Sequence, residues 1–230
     1  MDPGLYIAAS GMLAEQVRQN QLSNDLANAS TPGYKPDMAE QQSFGSLLMA
    51  NTSTGQTVGT INTGVRIDKV VTDTSPSTLN QTGQPLDFAV SGTGYFAVRN
   101  SAGISYTRDG QVQSNASSQL VDAQGNVVLG QNGQPITVST KGTVPASALG
   151  VFNVPNVTKQ GENYFSGAST GRASGVVHQG ELENSGVDPI QTMTDMISSL
   201  RAYQAGQSAL QSIDQTMQED ASSVGSISGG

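Results

Sequence analysis

The sequence predicts an α+β chain in which long helices at the two ends form a coiled-coil-like pair and flank a central all-β domain. Three observations carry this reading. Near each end an Asp-Pro pair opens an apolar pattern with helical spacing; between the ends the apolar period drops to two; and glycines with Ser, Asn and Asp punctuate the middle at short intervals.

The first segment, 1–34, opens with Asp2, placed to cap a helix, and Pro3, suited to the first helical position where no backbone N–H is needed. Leu5, Ala8, Met12, Leu22 and Leu26 then recur at three-, four- and seven-residue intervals, interrupted by Glu15 and Gln19. The pattern stops at Ser30-Thr31-Pro32-Gly33, where proline removes a donor and restricts its predecessor. Residues 35–66 are polar, with the turn formers Ser53-Thr54-Gly55-Gln56, and read as an extended connector.

From 67 to 182 the chain alternates short strand candidates with turns. Leu86 to Val90, Tyr95 to Val98, Ile104 to Thr107, Gln119 to Val121 and Val127 to Leu129 are the clearest, followed by runs around Ile136, Leu149 and Val176. The last segment, 183–230, repeats the opening device with Asp188-Pro189. It then carries Met193, Met196, Ile197, Leu200, Tyr203, Leu210, Ile213, Met217 and Val224, read as one helical face and broken at Gly206 and Gln207. A continuous helix from Pro189 to Val224 spans roughly 50 Å at 1.5 Å per residue. The Gly/Ser end from Ser222 to Gly230 is expected to fray.

Composition removes several function classes. Only 12% of the 230 residues are charged and 5% aromatic, so the core is thin and the ends are expected to need a partner to become ordered. A net charge of -8 without a Lys/Arg cluster argues against nucleic acid. No stretch approaches the ~20 apolar residues of a membrane-spanning helix, so no membrane insertion is expected. The N-terminus lacks the basic and apolar regions of a secretory signal. With no cysteine and His178 as the only histidine, no catalytic residue, no cofactor site and no metal site is predicted.

Four features invite a sharper reading and take a structural one. Gly92-Thr93-Gly94-Tyr95-Phe96-Ala97 matches a dinucleotide fingerprint, but strand formers follow where a helix is required, so a hairpin is expected. Asp87, Asp109 and Asp122 lack calcium-loop spacing and read as turn residues. His178 reads as a strand residue. Arg108 is expected to pair structurally with a nearby acid.

Three runs resemble the flagellar rod and hook family. They are Gln21 to Lys35 (QLSNDLANASTPGYK); Gln84 to Val98 with Tyr106-Thr107-Arg108-Asp109-Gly110; and Gly180 to Asp188 continuing through Arg201-Ala202-Tyr203-Gln204-Ala205-Gly206-Gln207. Asp25, Gly186 and Gly206 stand where that family commonly has Asn. The resemblance implies a non-enzymatic subunit of the basal-body rod, of the larger rod-subunit type, that self-assembles through its terminal helices into a torque-transmitting tube. It implies homo-oligomers, contacts with other flagellar axial proteins, and passage through the flagellar type III export apparatus without a cleavable signal peptide. The subunit interface is expected at Leu5, Met12, Leu22, Leu26, Met193, Met196, Ile197, Leu200, Tyr203, Leu210, Ile213 and Met217. A hook-type, phage-tail-like or adhesin-like module is the alternative, with a carbohydrate-active enzyme behind it.

Overall fold

The computed structural model describes residues 3–43, 45–50, 57–62, 64–101, 103–139, 142–161 and 163–227. Asp2, the turn from Ser53 to Gln56 and the end from 228 lie outside them. The fold is α+β, with one helix at each end and a β domain between, and the chain divides into two compact units.

The first unit gathers 1–26, 37–71 and 189–230. Helix α1 (Pro3–Ala27) has 25 residues and helix α2 (Pro189–Ile227) has 39, so α2 continues through most of the segment expected to fray. The stretch read as a connector is extended but paired: β1 (Asp37–Ser43) lies beside β4 (Val65–Thr72), and β2 (Ser46–Ala50) beside β3 (Thr57–Asn62). This ribbon is fastened to α1 by polar contacts. Ser10 Oγ accepts the Val65 N–H at 3.3 Å, Asp25 Oδ1 accepts the Asp37 N–H at 3.4 Å, and Gln41 donates to Glu15 at 3.3 Å.

The second unit gathers 27–36 and 72–188. Its strands are β5 (Leu79–Gln81), β6 (Phe88–Ser91), β7 (Tyr95–Asn100), β8 (Gly103–Thr107), β9 (Val112–Ser114), β10 (Leu120–Asp122), β11 (Val127–Leu129), β12 (Val151–Asn153), β13 (Thr158–Gln160), β14 (Tyr164–Ser166), β15 (Gly171–Arg172), β16 (Val176–Gln179) and β17 (Glu181–Glu183). A nine-stranded sheet runs β13-β14-β8-β7-β11-β10-β9, with β12 bridging β7 and β15. Separate pairs are β6 with β16 and β5 with β17.

Strand β7 shows why this segment folds as it does. Its period-two side chains divide between two cores: Phe96 and Val98 pack with Phe88, Val90, Leu120 and Val128, while Tyr95 and Ala97 pack with Tyr106, Leu129 and Phe165. Each of those four β7 residues is buried, so the strand is covered on both faces. Close packing also explains a glycine. A Cβ on Gly110 would overlap the Phe88 carbonyl oxygen, whose own N–H bonds the Gly110 carbonyl at 3.0 Å.

Candidate assembly surface

Helical geometry sorts the apolar residues of α2 onto two faces rather than the one read from the sequence. Thr192, Ser199, Gly206 and Ile213 recur every seven residues, as do Met196, Tyr203, Leu210 and Met217; together they form an a/d-like stripe. Thr192 and Ser199 are buried, and Met196, Tyr203, Gly206, Leu210 and Ile213 half-buried. This face meets α1. Ser199 Oγ donates to Glu15 Oε2 at 2.7 Å, and a Cβ on Gly206 would lie 2.9 Å from Met12 Cγ, so the missing side chain lets the helices approach closely. Because Ser199 meets Glu15 while Gly206 meets Met12, the helices run antiparallel. On α1 the expected positions Leu5, Met12, Leu22 and Leu26 are all half-buried.

The second α2 face lies about 120° around the helix at ~100° per residue. Ile190 is 79% exposed, Met193 51%, Ile197 54% and Leu200 42%. On α1 a comparable outward row is formed by Tyr6, Leu13 and Val17, all exposed. Sequence reasoning merged the α2 faces because methionines and isoleucines on neighbouring faces fall at similar spacings. The seven-residue repeat of the small residues Thr192, Ser199 and Gly206 was the signal that separates them.

In the β unit the three signature runs converge on a buried charge junction. The loop after α1 is shaped by a turn, with the Thr31 N–H on the Asn28 carbonyl, and by Gly33, whose φ of 67° and packing on the Arg108–Asp109 backbone leave no room for a Cβ. Lys35 follows and donates to Glu183 Oε1 at 2.6 Å and to the Ser75 carbonyl at 2.6 Å. Arg108 Nη1 reaches Glu183 Oε2 at 3.1 Å and the Val90 carbonyl at 3.2 Å, while Nη2 donates to the Gly92 carbonyl at 2.7 Å. The Lys35 and Glu183 side chains are fully buried and that of Arg108 nearly so. Burial lowers the pKa of the Lys35 ammonium from its ordinary value, with Glu183 pulling the other way.

Thus Arg108 has the acid partner expected of it, but the partner is 75 residues away in β17. The Lys35–Glu183 pair was not anticipated. Its signal was a charged residue directly after a buried leucine in a short strand, Leu182-Glu183, with no polar face assigned to it. The junction also fixes the chain where it leaves the unit, through Gly33 N–H to Glu183 O at 2.8 Å and Gly186 N–H to Tyr34 O at 2.9 Å.

The remaining candidates have local roles. Gly92 and Gly94 form the β6–β7 turn, and the segment that follows is strand, not helix. Asp122 caps a turn by accepting the Gln124 and Asn126 N–H groups at 3.0 and 2.8 Å. Asp87 accepts the Thr82 hydroxyl at 2.6 Å. Asp109 accepts the Gln111 N–H at 2.9 Å and the Asn163 amide at 3.2 Å, and burial pushes its pKa up to about 6. His178 lies on β16 with Nδ1 3.8 Å from Glu181.

The β unit thus holds Lys35, Arg108 and Glu183 in one internal ion cluster, and the helices joined to it in sequence carry apolar rows turned to solvent. Three family models match: "Flagella basal body rod protein" over residues 5–35, "Flagellar hook protein FlgE/F/G D1 domain" over 89–151, and "Flagellar basal body rod FlgEFG protein C-terminal" over 178–224. The flagellar basal-body rod protein FlgG of Caulobacter vibrioides is 31% identical, across 93% of this chain and 96% of its own length. The flagellar hook-basal body complex protein FlhO of Bacillus subtilis is 29% identical, across 97% and 99%. The rod protein FlgF of Mesorhizobium japonicum is 27% identical, across 89% and 90%. The chain belongs to the flagellar basal-body rod protein family.

Proposed function

We propose that this chain, a structural subunit of the flagellar basal-body rod, self-assembles with copies of itself and other axial proteins through α1 and α2, which form a coiled-coil-like wall of a tubular, torque-transmitting shaft. The single observation that carries this reading is the solvent-facing row Ile190, Met193, Ile197 and Leu200, set apart from the face that α2 turns to α1. Exposed apolar rows of this kind mark interaction surfaces. Of the expected interface residues, Met193, Ile197, Leu200 and Met217 are then direct contacts between subunits. Leu5, Met12, Leu22, Leu26, Met196, Tyr203, Leu210 and Ile213 shape the helix pair that presents them.

The reading assigns no catalytic, cofactor or metal role to any residue. It places the chain in the periplasm-spanning rod, delivered by the flagellar type III export apparatus without a cleavable signal. Among the described residues no helix is long and apolar enough to cross a membrane. Electron microscopy of basal bodies from a strain lacking the chain tests this function. A missing or truncated rod with loss of motility is expected; a normal rod with normal motility overturns it.

A further inference from the structure

The face of α2 that meets α1 continues past the end of α1. With Ser199 opposite Glu15 and Gly206 opposite Met12 and Ala8, Pro3 falls opposite about residue 212 for antiparallel helices of equal rise. Helix α2 runs on to Ile227. The exposures agree: Tyr203 and Leu210 are half-buried, yet Met217, next in the same seven-residue row, is 45% exposed. Beyond Ile213 the helix therefore runs on with no length of α1 beside it, and Met217 carries the inward-type row into that overhang.

We propose that the overhanging turns of α2 seat on the outward row Met193, Ile197 and Leu200 of α2 in a second copy of this chain. The inference rests on the subunit reading above and adds which surface meets which. Three observations select this occupant. The overhang continues an apolar helix–helix interface already formed within the chain, so a helix with an apolar row is what fits it. The outward row from Ile190 to Leu200 rises ~15 Å and the helix beyond Ile213 ~20 Å at 1.5 Å per residue, so one covers the other. Arg201, exposed beside Leu200, provides a positive partner for Asp214, exposed beside the overhanging face. The two surfaces lie at opposite ends of one helix, so their contact is heterologous and propagates from copy to copy instead of closing as a two-fold dimer.

The chain contains no cysteine, so introduced thiols report the contact alone. Met193→Cys and Met217→Cys, both at exposed positions, are produced singly, together as separate copies, and in one chain, and assembled rods are oxidised and run on a non-reducing gel. Disulfide-linked dimers from the mixture, monomers from either single variant, and a ladder from the doubly substituted chain are expected. Self-crosslinking of Met217→Cys would mean a two-fold contact and overturns the proposal. So does crosslinking of Met217→Cys to Leu13→Cys in place of Met193→Cys, which puts the outward row of α1 in the seat. If either methionine variant fails to build rods, Leu200→Cys with Asp214→Cys replaces the pair and the same patterns decide. Intact rods without the mixed disulfide in either pair overturn the seating but leave the subunit reading standing; that reading fails separately if a strain lacking the chain builds normal rods.

Discussion

Glutamine at position 183 would leave the buried Lys35 ammonium and the Arg108 guanidinium without their shared carboxylate. Breaking a buried pair by removing one partner costs about 3–5 kcal/mol, because the remaining charge stays desolvated. For Glu183→Gln the melting temperature of the purified chain is expected to fall by roughly 10 °C, measured by circular dichroism in the β signal. Adding Lys35→Met is expected to cost less than the sum of the two single changes, since it removes the charge that Glu183 had answered. An additive double mutant would mean that the pair does not couple.

Asp109 has the opposite sign. Its carboxyl has a pKa near 6 in the fold, above its ordinary value of 3.8, chiefly because burial disfavours the charged form. The fold therefore favours the protonated acid. That contribution is complete below about pH 4 and is lost as pH rises through about 6, by at most ~3 kcal/mol and less where the half-buried carboxyl keeps some water. Asp109→Asn cannot ionise. The mutant-minus-parent difference in melting temperature is expected to become more positive from pH 4.5 to pH 7.5, and thermal melts at the two values check it; a difference independent of pH would show Asp109 titrating as an exposed acid does.

Among the elements, the two faces of α2 give substitutions with different consequences. Leu210→Asp puts a carboxylate on the half-buried row facing α1, where it is desolvated or must take up a proton. Amide hydrogen exchange is expected to speed up about tenfold or more across α1 and α2, for a loss above ~1.4 kcal/mol, while the strands of the β unit keep their protection. Ile197→Asp, on the exposed row, is expected to leave exchange in the isolated chain unchanged and to abolish rods seen by electron microscopy. Equal effects of the two changes on the isolated chain would place both residues on one face. Gly206 belongs to the same logic: it stands where the resembled family commonly has Asn, and here its lack of a side chain is what lets Met12 close on α2.

Across the whole molecule, the features legible in the sequence are those written into neighbouring residues. The Asp-Pro helix starts, the helical spacing, the period-two strands and the turns at Gly92–Gly94, Asp109-Gly110 and Asp122–Gly125 are local, because a helix or strand face is set by backbone geometry over a few residues. The α+β arrangement followed from them, and the family from the three residue runs that resemble it. The ribbon of 37–72 was less legible: its residues are polar, and what turns an extended segment into paired strands is the partner strand and the helix behind it. Nor was the sorting of faces local. Whether Ile197 or Leu210 meets α1 depends on where Ser199 finds Glu15, 184 residues earlier, and whether Glu183 is a surface charge or a buried keystone depends on Lys35, 148 residues before it. The sequence by itself determined the two terminal helices, the clearest strands of the β unit and, through its three resembling runs, the family. The tertiary structure alone decided which apolar row is consumed inside the chain and which is left to solvent, because burial is a property of two surfaces meeting and spacing along one helix describes only one of them.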